Sequence, residues 1–449
     1  MTLPQSWAVS SIGALADKGQ YGWTTKAAQA GEVRFLRTTD ITKGRIDWSS
    51  VPFCAEVPAD LDKYLLEPGD IVISRAGSVG FSRLMEKIPC NTVFASYLIR
   101  FKPSSTVVPR YLAAYLNSDA YWKGIGAASV GIALANVNAK SLAALPVPLA
   151  PLAEQKRIAD KLDTVLTRVD AVNTRLARVA PLLKRFRQSV LAAATSGRLT
   201  EDWRGGAMDW TSVPAAEICE KVQSGGTPKA GFAEAGVPFL KVYNIVDQRV
   251  AFDYKPQFVS QAIHESELRK SQVFPNDVLM NIVGPPLGKV AVVPADHSAW
   301  NINQAITLFR PSTKITSQWI YILLCEGAPI RDVLARTKGS VGQVNISLSQ
   351  CRAFEFQVPS VEEQTEIVRR VETLFAFADR LEARLAQAQT AATRLTPALL
   401  AKAFRGELVP QDPNDEPAAE LLRRLQAERA TAPKASAGRG RKAAVQSEG

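Results

Sequence analysis

The run closest to a recognisable chemistry is Gly284-Pro285-Pro286-Leu287-Gly288-Lys289. A phosphate loop needs glycine-rich backbone donors, a lysine, and a following Ser or Thr to hold magnesium. This run is one residue short, and Val290 stands where the hydroxyl belongs. Pro285-Pro286 also lacks the preceding Asn or Asp and the following aromatic of an adenine methyltransferase's catalytic tetrapeptide. His264-Glu265 has no second histidine four positions after the first, which removes zinc-protease chemistry. His297 lies in an apolar-flanked loop and reads as structural or surface. The five cysteines (Cys54, Cys90, Cys219, Cys325, Cys351) sit at no metal-ligand spacing and suggest no disulfide framework. They read as reduced, cytoplasmic thiols in core positions. No nucleophile, base and orienting acid can be assembled, and no glycine fingerprint follows a strand to hold a nucleotide. The chain is therefore expected to be non-catalytic, with no metal and no cofactor of its own.

What remains is binding chemistry. Lys and Arg number 54 against 43 Asp and Glu, a formal net charge of +11, which suits a polyanion such as nucleic acid. Candidate DNA-facing residues in the first half are Arg34, Arg37, Thr38, Thr39, Lys43, Arg45, Arg75, Ser78 and Arg83. In the second half they are Lys241, Tyr243, Asn244, Arg249, Asn281 and Lys289. Arg and Lys can pair with guanine and Asn with adenine, while hydroxyls and cations also meet phosphates.

These residues must be positioned by a repeated scaffold. Displacing the 449-residue chain by 209 positions brings Glu154-Gln155 onto Glu363-Gln364, Asp170 onto Asp379, Gly197 onto Gly406 and Leu199 onto Leu408. The preceding regions echo each other more loosely, as in Pro68-Gly69-Asp70-Ile71-Val72 and Pro275-Asn276-Asp277-Val278-Leu279. Each is followed by a glycine-containing turn, at Gly77 to Gly80 and at Gly284 to Gly288. Short β-branched runs at 70–74 and 278–282 read as strands, and 110–118 and 317–326 as helices.

Two long helices follow the two globular parts. Ile158, Leu162, Val165, Val169, Val172, Leu176, Val179 and Leu183 keep a 4,3 alternation, as do Ile367, Val371, Leu374, Leu381, Leu385 and Leu395 with alanines between. A 3.5-residue period held this long marks a left-handed coiled coil rather than an ordinary surface helix. Pro181 and Pro397 predict a kink or a restart, and Gly197 and Gly406 a stop. Antiparallel pairing within one chain would place the globular parts at opposite ends and relate the halves by a pseudo-two-fold axis. The 152–196 segment could then span roughly 65 Å at 1.5 Å per residue, one to two turns of DNA. The expected fold class is α+β: two mixed α/β globular domains joined by two long antiparallel coiled-coil helices. Boundaries are 1–150, 151–200, 201–360 and 361–408, then a helical extension at 409–431 and a disordered basic tail at 432–449.

The combination resembles the specificity subunit of type I restriction–modification systems. The likeness rests on Pro151-Leu152-Ala153-Glu154-Gln155 and its copy Val361-Glu362-Glu363-Gln364, and on the Pro68-Gly69-Asp70-Ile71-Val72 signature. It extends to Ala403-Phe404-Arg405-Gly406-Glu407-Leu408-Val409-Pro410 and to residues 412–418 near the C-terminal end. The resemblance implies a cytoplasmic, non-catalytic subunit that reads a bipartite, asymmetric site on double-stranded DNA. Two methyltransferase subunits and nuclease-translocase subunits would be its partners, with S-adenosylmethionine, ATP and magnesium used by those partners and not by this chain. A specificity factor of a stand-alone methyltransferase or a phage-exclusion system is the alternative; a coiled-coil scaffold without a DNA role is a third class. No run approaches the ~20 apolar residues of a membrane span, and residues 1–7 lack signal-peptide character.

Overall fold

The structure is a computed structural model that describes residues 3–128, 136–336 and 345–431. The basic tail expected at 432–449 lies outside the described residues. The chain divides into two compact units, Met1–Arg175 with Ala388–Gly449, and Leu176–Gln387. Each division falls inside a long helix, so a unit comprises a globular part together with portions of both long helices. The sequence boundaries separate helices from globular parts; compactness instead joins them, because the ends of each helix are buried in a globular core.

In the first unit an antiparallel sheet runs in the order Gln20–Tyr21, Leu98–Phe101, Ile71–Ser74, Ser82–Leu84. A second sheet runs Ala27–Ala28, Phe53–Cys54, Arg34–Leu36, Thr92–Phe94, its last pair parallel. Ala8–Ser11 pairs antiparallel with Pro146–Leu149. The second unit repeats this plan with Lys221–Ser224, Ile306–Arg310, Val278–Asn281 and Val290–Val292 in one sheet. Its other sheet runs Phe258–Val259, Val237–Leu240, Trp300–Ile302, Gln272–Val273, with the middle pair parallel. Thr211–Pro214 pairs with Glu355–Val358. The central strands Ile71–Ser74 and Val278–Asn281 are wholly buried, which is why they read as apolar runs without alternation.

One device recurs where backbones approach. A Cβ on Gly22 would lie 2.2 Å from the Phe94 carbonyl oxygen, and one on Gly225 would lie 2.2 Å from the carbonyl oxygens of Ile302 and Asn303. Gly22→Ala or Gly225→Ala is expected to destabilise its unit by about 2 kcal/mol, since backbone rather than a side chain must move. Gly126→Ala, in the helix Asp119–Ala128 with nothing within 4 Å, is expected to raise stability by up to about 1 kcal/mol. Thermal melts of the three variants check the signs.

The long helices span Leu152–Thr195 and Val361–Ala403. In the second unit Leu176, Val179, Leu183 and Phe186 form one apolar cluster with Ala378, Leu381 and Leu385. The Arg187 guanidinium on the first helix donates to Asp379 at 2.5 Å and to Glu382 at 3.1 Å on the second. Ile367 and Val371 join the globular core beside Val190, Leu191 and Ala194, with Leu374 packed against it. In the first unit Ile158 and Leu162 share the core with Leu400, Ala403 and Phe404. The start of each helix thus meets the end of the other within a unit, which is antiparallel pairing.

The expectations of a helix restart at the prolines and of seam positions at Val172 and Leu395 are corrected. Both helices run unbroken past Pro181 and Pro397, so no restart occurs. A proline removes one donor from a long ladder, and the helix continues on both sides. Val172 and Leu395 are 44% and 46% exposed, so neither belongs to a closed seam. Val169 is buried, whereas Val165 is only half-buried. Gly197 and Gly406 stand just past the helix ends at φ of 73° and 74°, the left-handed conformation that releases a chain from a helix.

Beyond Gly406 the chain returns to the N-terminal segment. The Ala418 amide donates to the Ser6 carbonyl at 2.9 Å. Arg429, in the helix Ala418–Thr431, donates to the carbonyls of Gly13 at 3.0 Å and Ala16 at 2.7 Å.

Candidate nucleic-acid interface

The loops that carry the candidate residues are fixed by repeated polar locks. Asp70 accepts the Glu67 amide at 2.9 Å and lies 3.5 Å from Arg100; Asp277 accepts the Phe274 amide at 2.9 Å and is clasped by Arg310 at 2.8 and 2.9 Å. Burial pushes the Asp70 carboxyl upward against the pull of the Glu67 amide and Arg100. Gly69 and Asn276 hold the same left-handed corner, at φ of 98° and 72°. The Pro-Gly-Asp signature is therefore a framework element that aims the next strand.

At the far end of that strand one buried polar side chain holds the glycine turn. Ser74 Oγ donates to the Ser78 carbonyl and accepts the Phe81 amide at 3.0 Å. Asn281 Oδ1 accepts the Lys289 amide at 2.6 Å, while its Nδ2 donates to the Pro286 carbonyl at 2.9 Å. Asn281 is 1% exposed and its amide is fully used, so the expectation that it reads adenine is corrected. Asn244 is corrected for the same reason. Its Oδ1 accepts the Lys241 amide at 2.9 Å and its Nδ2 donates to the Tyr254 carbonyl at 2.9 Å.

Other candidates serve the scaffold in part. Arg34 donates to the Val51 carbonyl and its guanidinium lies 4.2 Å from the Phe53 ring centroid. Arg37 is tied to Asp40 at 2.9 and 3.1 Å, and that hydrogen-bonded pairing raises its pKa. Thr38 Oγ1 is buried without a hydrogen-bond partner among the described residues. Thr39, Lys43, Arg45, Ser78 and Arg249 are exposed.

The structure brings some of them together. Arg45 and Arg83 line one cleft of about 690 Å³ with Trp48, Lys87, Glu86 and Asp170. Among the described residues Arg83 has no carboxylate partner; it donates to the Ser82 carbonyl at 3.2 Å, and burial lowers its pKa. Arg75 sits 4.9 Å from the Tyr21 ring centroid. Its amide donates to the carbonyl of Tyr97, which is 60% exposed. In the second unit Asp247 and Gln248 form a left-handed hairpin corner that places Arg249 on the surface. Gln248 Oε1 accepts the Val290 amide at 2.6 Å, beside half-buried Lys289. Lys241 and Tyr243 meet Phe232, Tyr254 and Lys255. The sequence reading missed Tyr21, Tyr97, Phe232, Tyr254 and Lys255. The adjacent Tyr254-Lys255, an aromatic beside a cation in a turn-rich stretch, was the available signal.

Reactive chemistry is not assembled among the described residues. Burial pushes Cys54 up to about 11 and Cys219, Cys325 and Cys351 up to about 12, leaving protonated thiols. Cys90 departs from the expected core position and is exposed. Nδ1 of buried His264 is hydrogen-bonded to Asn301 at 2.7 Å. No described group of acidic, histidine or cysteine residues could hold a metal, and no described helix is long and apolar enough to cross a membrane.

A family profile described as "Type I restriction modification DNA specificity domain" matches residues 4–180 and 208–389. The chain is 30% identical to the Type I restriction enzyme StySPI specificity subunit of Salmonella potsdam, over 95% of this chain and 96% of the relative. It is 29% identical to the EcoKI specificity subunit of Escherichia coli strain K12, over 95% and 96%. Its fold is similar to a chain from a structural study of complex assembly and conformational transition of the type I R-M system. That match has a TM-score of 0.70 at 19% identity, covering 91% of this chain and all of that one. The HsdS subunit of Thermoanaerobacter tengcongensis matches with a TM-score of 0.61 at 18% identity, over 91% and 99%.

Proposed function

The chain belongs to the type I restriction–modification specificity-subunit family, and from that premise we propose that it reads a bipartite, asymmetric DNA site for its partner enzymes. Its role is DNA sequence specificity. Each recognition unit takes one half of the site. The observation that carries this reading is one framework built twice with unlike surfaces. The same capping turn carries Arg37 with Asp40 in one unit and Lys241 with Asn244 in the other. The position after the central strand is Arg75 in one, beside the Ser74 lock, and Ile282 in the other, beside the Asn281 lock.

Two methyltransferase subunits bind this chain and modify an adenine in each half-site, using S-adenosylmethionine. Nuclease-translocase subunits, driven by ATP with magnesium, act on unmodified DNA. This chain contributes position and discrimination: phosphate contacts set register and base-edge contacts select sequence.

Exchanging residues 1–150 for those of a homologous subunit is expected to change one half of the methylated sequence and leave the other intact. Mapping modified adenines in cells carrying the exchange reads the result. A change in both halves, or in neither, would defeat the assignment of one half-site to each unit.

A further inference from the structure

We propose that Phe232, Lys241, Tyr243, Tyr254 and Lys255 form the patch by which the second recognition unit grips the sugar–phosphate edge of duplex DNA. The proposal rests on the reading of this chain as a DNA specificity subunit and goes beyond it by naming the contacting surface.

The cations of this patch are free. Lys241 Nζ lies 4.5 Å from the Phe232 ring centroid and Lys255 Nζ lies 5.3 Å from that of Tyr254. Neither lysine forms an ion pair among the described residues, although Asp253 is exposed in the same loop. The matching turn of the first unit differs in one respect. There Asp40 caps the backbone and also neutralises Arg37. In the second unit Asn244 makes the same cap without charge, so Lys241 keeps its full field. A neutral cap beside a lysine is what a phosphate-facing turn requires.

The rings are exposed as well. Phe232 and Tyr254 are 44% and 54% exposed, an unfavourable display of apolar area unless a partner covers it. The patch is also rigid. Asn244 ties the 241–244 turn to the Tyr254 carbonyl, and the Tyr243 hydroxyl donates to the Lys255 carbonyl at 3.3 Å. Lys255 holds a left-handed φ of 52°, a strained conformation for a non-glycine residue that the surrounding bonds maintain. A tied-down face carrying two unpaired ammonium groups beside exposed aromatic rings suits a strand edge, where anionic phosphates lie beside apolar deoxyribose.

The test uses the full chain assembled with its methyltransferase partner and a duplex pool of randomised sequence, titrated with salt. Lys241→Gln with Lys255→Gln is expected to weaken binding roughly tenfold at moderate salt. It should also lower the slope of log affinity against log salt by roughly 2, one ion release per lost contact. Phe232→Ala with Tyr254→Ala is expected to weaken binding several-fold and leave the slope unchanged, because rings release no counterions. Size-exclusion chromatography checks that both variants still assemble. Unchanged affinity and slope in the lysine variant, with wild-type binding intact, would overturn the patch and leave the specificity reading standing. Loss of assembly would reassign the patch to a protein partner and overturn it. Absence of salt-dependent binding by the wild-type complex would sink the patch and the specificity reading together.

Discussion

Leu385→Asp is expected to destabilise the second unit by about 3–5 kcal/mol, because it places a charge without a partner in an apolar seam. Leu385 is 9% exposed and sits in a cluster with Leu183 and Ala378. Arg187, which reaches across from the first helix, already serves Asp379 and Glu382. Leu395→Asp is the matched control. It occupies the same heptad pattern, yet at 46% exposure the new carboxylate stays in water, and the expected change is within about 0.5 kcal/mol. Urea unfolding of the two full-length variants separates the cases. Equal losses would mean that sequence period rather than packing decides the seam.

Gln155→Ala and Gln364→Ala are each expected to cost about 2–4 kcal/mol, a large loss for a single polar side chain. Both glutamines are 0% exposed. Gln155 Oε1 accepts the Val108 amide at 2.9 Å, and its Nε2 donates to the carbonyls of Ala150 at 2.9 Å and Thr106 at 3.4 Å. Gln364 repeats the pattern with the Thr316 amide at 2.9 Å and the carbonyls of Lys314 at 2.9 Å and Pro359 at 3.1 Å. Truncation leaves three backbone groups without those partners in a buried site. Hydrogen exchange gives the specific readout: the Val108 amide in one variant, and the Thr316 amide in the other, should lose protection. Retained protection would show that the amide is not the group holding the strand of chain against the helix. Glu154 and Glu363 act beside them, accepting the indole N–H of Trp7 and of Trp210 at 2.9 Å in both cases. The repeated Glu-Gln pair is thus the fastening between each long helix and its globular part.

The sequence by itself determined the repeat and the two long helices. These are local or periodic properties. A 4,3 alternation can be counted, and Glu154-Gln155 against Glu363-Gln364 can be aligned, without knowing where any residue lies in space. Only the tertiary structure decided which polar residues face outward. Asn244 and Asn281 have the composition of base readers and are buried locks, because the turns fold back so that their amides meet the backbone carbonyls of Tyr254 and Pro286, ten and five residues further along the chain. Arg37 and Lys241 occupy the same turn, and the residue three positions on decides that one charge is spent and the other free. Val172 and Leu395 satisfy the heptad yet stay in water, since burial depends on a partner surface that periodicity cannot supply. Phe232 has the side chain of a core residue, and the fold alone leaves its ring uncovered. Periodicity is fixed by bonds along the chain, whereas exposure and pairing are fixed by which distant groups the folded chain brings within a few ångströms.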